Sequence, residues 1–372
     1  MVTIPQLKIG NLVAKIPIIQ GGMGVGISMS GLASAVANAG GIGVISSVGL
    51  GLLDVSSNSS YREGNKIALR QEIRKARDLT SGILGLNIMV AISDFDDMVR
   101  IALEEAIDIL FLGAGLPLRL PKGISMDFLR SIKTKIAPIV SSGRAAKIIF
   151  KSWDKYYQHV PDAVVVEGPK AGGHLGFKRN QIDDPDFALE KLIPSVCEAI
   201  VPFEKKYDKK IPVIAGGGVF TGEDILTMMK LGASGVQMGT RFVATHECDA
   251  ADAFKAQYLA CKKEDIVIIQ SPVGMPGRAI KSDFLRDVES GIKHPFTCPW
   301  KCLKTCDYRV APYCISQALT NAKVGKMQEG FSFAGVNAWR VNKIVSVKEL
   351  MDSLVREFEE AAQKQTLATN AV

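Results

Sequence analysis

Residues 211–240 read IPVIAGGGVFTGEDILTMMKLGASGVQMGT, and this stretch decides the fold. An apolar run, IPVIAGGG at 211, gives way to a helix-like segment, after which a second apolar run, GVQMGT at 235, follows. Runs that are continuously apolar, rather than alternating, belong to strands buried on both faces, as in a parallel sheet covered by helices. The same unit recurs upstream, in IPIIQ at 16, GIGVIS at 41, ILGLNIMV at 83, IDILFLG at 107, IAPIVSS at 136 and DAVVVEG at 162. Amphipathic segments such as SDFDDMVRIALEEA lie between them. Eight such units predict an α/β fold, a closed (β/α)8 TIM barrel, with an open doubly wound sheet as the alternative. In such a barrel, function sits just past the C-terminal ends of the strands.

Two regions exceed a minimal barrel. Residues 52–80, with DVSSNSSYREGN before a basic helical pattern, make a long connection between the second and third strands, the kind of segment that serves as a cover. From about residue 243 the strict alternation ends, so the expected division is a barrel core over 1–242 and a helical region over 243–372 that completes or covers it. At 372 residues, 47% hydrophobic and 22% charged, the chain has ample material for a core and the composition argues against disorder. Apolar runs stop well short of a membrane span, and MVTIPQLKIG lacks a signal-peptide pattern, so a cytoplasmic protein is expected. A net charge of +7 without a basic run argues against nucleic acid and for a small, anionic substrate.

Three glycine-rich turns end strands one, seven and eight: QGGMGVG, AGGGVFTGED and MGTRF. Glycine lets backbone N–H groups approach a ligand closely, and phosphate is the usual ligand of such turns, most often after strands seven and eight. Gly217, Gly218, Gly239 and Thr240 are therefore the expected phosphate cradle. A cofactor anchored there would reach across the mouth toward GGMG after strand one and toward the amide of Asn87, partners that suit a flat ring with mixed donors and acceptors such as an isoalloxazine. After strand six, EGPKAGGHLG sets His174 among glycines, which excludes a helix interior and favours a loop close to a ligand. An imidazole with an unperturbed pKa of about 6.5 can exchange protons there. His159, His246 and His294 carry no comparable context and are expected to be structural.

Together IPIIQGGMG, GLNIM, EGPKAGGHLGF, PVIAGGGVFTGEDI, GASGVQMGTRFVAT, SPVGMPGRAI and GVNAWRVNKIVSVKEL resemble the FMN-dependent nitronate monooxygenases, formerly 2-nitropropane dioxygenases, a family that includes FMN-dependent enoyl-acyl-carrier-protein reductases. The resemblance implies that Gly22 and Met23 pack by backbone against an FMN ring, that Asn87 bonds it, and that Glu167 lies near its polar side. It also implies that the 217–218 and 239–240 turns hold the phosphate and that His174 handles protons. Lys170 departs from the carboxylate or neutral residue usual in the family; a cation there disfavours imidazolium and favours a bound anion. The implied activity is oxidation of alkyl nitronates. Alternatives are an NAD(P)H-dependent reductase of enoyl thioesters carried on acyl carrier protein or CoA, an NAD(P)H:quinone reductase, and a non-enzymatic flavin-binding protein. A barrel of the inosine-monophosphate-dehydrogenase kind would need a cysteine in the loop after strand six, which this chain lacks. A homo-oligomer is compatible with all of these.

Seven cysteines remain, four of them between residues 298 and 314. In CPWKCLKTC, Cys298, Cys302 and Cys306 stand four apart, so a helix with Pro299 in its first turn would bring their thiols to one face. Cys314, folded back, would complete a four-thiolate site for an iron–sulfur cluster or zinc. The spacing matches neither the common ferredoxin runs nor zinc ribbons, and buried free cysteines are the alternative.

Overall fold

The computed structural model describes residues 2–53, 60–293, 297, 298 and 300–370. Its centre is eight parallel strands: β1 Ile18–Gln20, β2 Gly43–Ser46, β3 Leu84–Met89, β4 Ile109–Gly113, β5 Lys135–Val140, β6 Val164–Glu167, β7 Val213–Gly216 and β8 Gly235–Met238. They pair in the order β1-β8-β7-β6-β5-β4-β3-β2. The two ends of that row meet where the Ile42 N–H donates to the Ile18 carbonyl and the Ile42 carbonyl accepts from the Gln20 N–H, each at 3.0 Å, which closes the sheet into a barrel and excludes the open alternative.

The uninterrupted apolar character of the strands has a direct cause. Ile19, Val44, Ile109, Phe111, Val165 and Ile214 point into the barrel, while their neighbours Ile18, Ile45, Leu110, Val164, Val166 and Ala215 join the layer of apolar side chains under the helices. An N-terminal hairpin, Leu7–Ile9 with Leu12–Ala14, adds Leu7, Ile9 and Ala14 to the interior cluster. Inside, Gly85 makes room for the Phe111 ring, which would lie 2.8 Å from a Cβ at that position. A side chain there would overpack the interior.

The outer ring includes α1 Ser30–Asn38, α2 Tyr61–Leu79, α3 Phe95–Glu104, α4 Met126–Ser131, α5 Gly143–Tyr157, α6 Leu189–Tyr207 and α7 Gly222–Lys230. The basic pattern in the long connection after β2 is thus the barrel's own second helix, and residues 54–59 of the expected cover lie outside the described residues. After α8 Thr240–Val243, the extension contains α9 Asp252–Ala260, α10 Asp283–Glu289, α11 Ile315–Lys323 and α12 Val347–Asn370. Helix α12 crosses the start of α7 at Gly222, whose N–H donates to Glu357 at 2.8 Å; a Cβ at Gly222 would sit 2.3 Å from the Leu354 carbonyl. Asp249, also from the extension, accepts from the N–H groups of Met29 and Leu32 at the start of α1 (2.9 and 3.1 Å). This carboxylate satisfies donors that a helix N-terminus leaves open.

The extension is not helical throughout. Strands β9 Ile266–Gln270 and β10 Pro276–Ile280 form an antiparallel hairpin, and the two-residue strand Gly173–His174 pairs with β10 opposite Gly277 and Arg278. No helix among the described residues is long and apolar enough to cross a membrane.

Candidate functional site

A cleft of about 280 Å³ opens where the strands end, and all nine residues expected at the mouth line it. At one end lie the turns after β7 and β8. Gly217 and Gly218 have φ of +96° and +89°, a left-handed pair that residues with a Cβ rarely adopt. A Cβ on Gly217 would come 2.8 Å from the Gly168 carbonyl, and one on Gly218 would meet the Lys170 side-chain stem at 3.0 Å. Lys170 therefore lies over the turn that ends β7, a placement its position four residues before His174 did not reveal. The turns are braced from the extension: Asn337 donates its amide to the Gly218 carbonyl (2.7 Å), and Thr240 Oγ1 accepts from Gly335 N–H (3.1 Å).

The other end is built on β1 and β3. Gly22 lies so close to Asn87 that a Cβ would fall 2.3 Å from the asparagine Cβ, so only glycine leaves both in place. Met23 is held by its N–H donating to Ser28 Oγ at 2.8 Å, and its sulfur lies 3.4 Å from where a Cβ on Gly239 would stand, joining the two ends of the mouth. Gln20, fully buried, supports the turn from below by accepting from Val44 N–H at 3.0 Å and donating to the Gly21 carbonyl. Ser46, in the cleft wall, has a buried hydroxyl without a hydrogen-bond partner, and Gln237 lines the cleft between the two ends. A long mouth with a paired-glycine turn under a lysine at one end, and backbone, amide and an unsatisfied hydroxyl at the other, has room and polar partners for a flat, phosphate-bearing cofactor.

His174 and Glu167 both line this cleft. His174 Nε2 is 2.7 Å from Ser271 Oγ, in the turn joining β9 and β10, and the ring meets Phe333 edge-on at 5.0 Å. Burial pushes its pKa down to about 4, so the imidazole is neutral at physiological pH. Its loop is held by buried Arg278, which donates to the carbonyls of Pro169 and Ala171. Glu167, at the end of β6, is pushed the other way by burial, up to about 7. Two groups driven apart in this fashion suit proton traffic. Between the ordinary carboxylate value of 4.5 and about 7, the folded protein holds a proton on Glu167 that the unfolded chain has released, so stability falls as pH rises through that window. Glu167→Gln, which cannot ionise, is expected to raise the thermal unfolding midpoint well above wild type on the alkaline side of the window and to leave it unchanged on the acid side. An equal gain on both sides would contradict the placement of this carboxyl.

His159 and His246 do not line the cleft. His159 lies beside Lys209 and Asp162 ahead of β6, with burial depressing its pKa; His246 occupies a turn between α8 and α9 rather than a helix; and His294 falls outside the described residues. The cysteine segment departs from expectation. Residues 300–311 contain no helix, Lys301 takes a left-handed φ of +48°, and Pro299 lies outside the described residues. Backbone bonds to the loop after β3 account for this: Ser93 N–H donates to Cys302 and Lys304 N–H to Ala91, both at 3.0 Å, around a bridge between Ile92 and Leu303. Among the described residues no three His, Cys, Asp or Glu side chains are grouped to hold a metal ion, so neither the zinc nor the iron–sulfur expectation finds a preformed ion site here.

Several contributors lay outside the reach of sequence reasoning: Ser271, Arg278, Phe333, Asn337 and Gln237. Ser271 and Arg278 belong to SPVGMPGRAI and Asn337 to GVNAWRVNKIVSVKEL, so the signal was present as motif but not as role.

A closed parallel barrel with glycine-built turns after strands seven and eight, and a half-buried histidine at its mouth, defines a (β/α)8 protein with its cleft at the C-terminal ends of the strands. Residues 6–357 match the model of the nitronate monooxygenase family, and the chain belongs to that family. A probable nitronate monooxygenase of Staphylococcus haemolyticus is 26% identical over 92% of this chain and 93% of its own length. The (3aS,4S,5R,7aS)-5-hydroxy-7a-methyl-1-oxo-octahydro-1H-indene-4-carboxyl-CoA dehydrogenase of Rhodococcus jostii is 29% identical over 73% of this chain, and the chain spans 65% of that relative's length. Among solved structures, FabK from Thermotoga maritima superposes with a TM-score of 0.71 at 27% identity over 94% of both chains. Nitroalkane oxidase from Streptomyces ansochromogenes shares the fold, with a TM-score of 0.71 over 96% of this chain and 98% of its own.

Proposed function

We propose that the protein is an FMN-dependent oxidoreductase that oxidises alkyl nitronates. The observation that carries this is the joint geometry of the mouth: paired left-handed glycines under a lysine at one end, Gly22 and Asn87 at the other, and a neutral, half-buried imidazole in the same cleft. FMN, when bound, supplies the redox chemistry. The N–H groups of Gly217, Gly218, Gly239 and Thr240 would hold its phosphate with Lys170 as counter-charge, while Gly22, Met23 and Asn87 would face its ring. Glu167, titrating near neutrality, offers a donor to the polar side of the ring when protonated. His174, unprotonated at neutral pH, takes up or returns the substrate proton. The substrate is small and anionic.

A second reading, reduction or oxidation of an acyl thioester on CoA or acyl carrier protein, is favoured by the likeness to the carboxyl-CoA dehydrogenase and to FabK. NAD(P)H separates the two. Purified protein is expected to release FMN on denaturation and to consume oxygen with alkyl nitronates while barely oxidising NAD(P)H. Rapid NAD(P)H oxidation with an enoyl thioester or a quinone would move the assignment to a reductase, and tight FMN binding with no turnover on any of these would make the protein a flavin binder only. Recovery of FAD would overturn the cofactor.

A further inference from the structure

The four C-terminal cysteines take no part in the cleft, yet the fold gathers them. Cys298, Cys302, Cys306 and Cys314 all line one cavity of about 610 Å³ beside the start of α11. Local periodicity does not produce this. The 300–306 segment is held by its backbone on the loop after β3, whereas Cys314 is the residue that precedes α11. Two independent parts of the chain thus deliver thiols to one space.

The space is the wrong shape for a single ion. Four sulfurs on one zinc would each lie about 2.3 Å from the metal, and hence about 3.8 Å from one another. No such group exists among the described residues. A cluster differs, because each thiolate binds its own iron in a four-iron cluster, or two thiolates share each iron of a two-iron cluster, and inorganic sulfide bridges the irons in the middle. The sulfurs then ring a volume rather than a point.

The surroundings suit sulfur ligands. Lys301 N–H donates to Cys298 Sγ at 3.4 Å, and Ser316 Oγ lies 3.1 Å from Cys302 Sγ. Hydrogen bonds to ligating sulfur are among the features that tune such clusters. Lys301, Lys304 and Arg309 line the cavity against one carboxylate, Asp307, so the lining carries net positive charge where four thiolates would bring negative charge. All seven cysteines are free thiols, so none of the four is committed to a disulfide.

We infer that Cys298, Cys302, Cys306 and Cys314 ligate an iron–sulfur cluster in this cavity. Its assembly takes iron and inorganic sulfide and releases the protons of the four thiols. Placement gives the cluster a structural consequence. It would tie the loop after β3 to the start of α11, the helix whose Leu319 lines the cleft about 7.5 Å further along the axis. This assignment is independent of which substrate the cleft accepts.

The test uses the full chain, purified without oxygen, and reads iron, acid-labile sulfide, zinc and flavin separately. The expected result is iron and sulfide in equal amounts, at two or four per chain, with a paramagnetic signal on chemical reduction. Cys302→Ser and Cys314→Ser should each lose most of the iron and sulfide, while Cys197→Ser, in α6 and outside the cavity, should keep both. Wild-type protein with stoichiometric zinc and no sulfide, or with no metal and four titratable thiols in this segment, would overturn the inference. Because the wild-type analysis decides by itself, a serine variant that fails to fold does not leave the question open. Flavin content, read in the same samples, is a separate readout of the cleft.

Discussion

Gly218→Asp is expected to yield protein without flavin. Three costs fall on one residue. Its φ of +89° is a conformation that L side chains rarely adopt, and holding one there costs about 1–3 kcal/mol. A Cβ would also press on the Lys170 stem at 3.0 Å, and the carboxylate would lie in the cradle proposed for phosphate while competing for that lysine's charge. Even the lower part of this sum, with repulsion between like charges added, implies at least about 100-fold weaker FMN binding. Equilibrium binding by flavin fluorescence quenching measures it, and circular dichroism establishes that the barrel is intact. Gly218→Ala, which carries the backbone strain without the charge, should lose less. Retention of FMN at wild-type affinity by the aspartate variant would remove the phosphate from this turn.

His174→Asn should leave flavin bound and lower turnover by about 10²–10⁴, the range typical of losing a general acid or base. The imidazole lies against Phe333 and Ser271 in a space asparagine can occupy, so binding is not expected to suffer. The pH profile supplies the sharper test. With a pKa pushed down to about 4, the ring is unprotonated across the neutral range and loses its proton-accepting form only as pH falls through that value. Wild-type kcat/KM should therefore be flat with respect to this group from pH 6 to 8 and fall on the acid side near 4, and the asparagine variant should lack that acid limb. An acid limb near 6.5, the unperturbed value, would mean that the ring stands in water.

What could be read without coordinates followed from physical period. Each β-strand of the barrel is buried on both faces, as Ile18 and Ile19 or Val165 and Val166 illustrate, and that condition writes itself into the chain as an unbroken apolar run. The glycines at 217 and 218 were legible for the same kind of reason, since their left-handed backbone admits few other residues. The thiol segment shows the limit. Spacings of four are what a helix would display, but pairing of residues 302–304 with residues 91–93 overrides that local preference, and a partner some 210 positions away leaves no mark in a window of ten. Lys170 was visible as a cation but not as the cover of Gly218, because side-chain direction in a loop follows from contacts rather than spacing. Ser271 and Arg278 act through the β9–β10 hairpin, whose short apolar run gives no hint of its pairing with Gly173–His174.

That pairing constrains how relatives of this protein can diverge. Because successive side chains of a strand face opposite ways, the pairing of Gly173–His174 with Gly277 and Arg278 works as a ruler that sets which way the imidazole points. Lengthening the turn at 271–275 leaves the ruler intact and gives evolution a place to add substrate-contacting residues. A single-residue insertion or deletion within 276–280 shifts it by one notch and turns the histidine out of the mouth. Lineages that reshape this pocket should therefore carry their length variation in the turn and keep the strand at constant length.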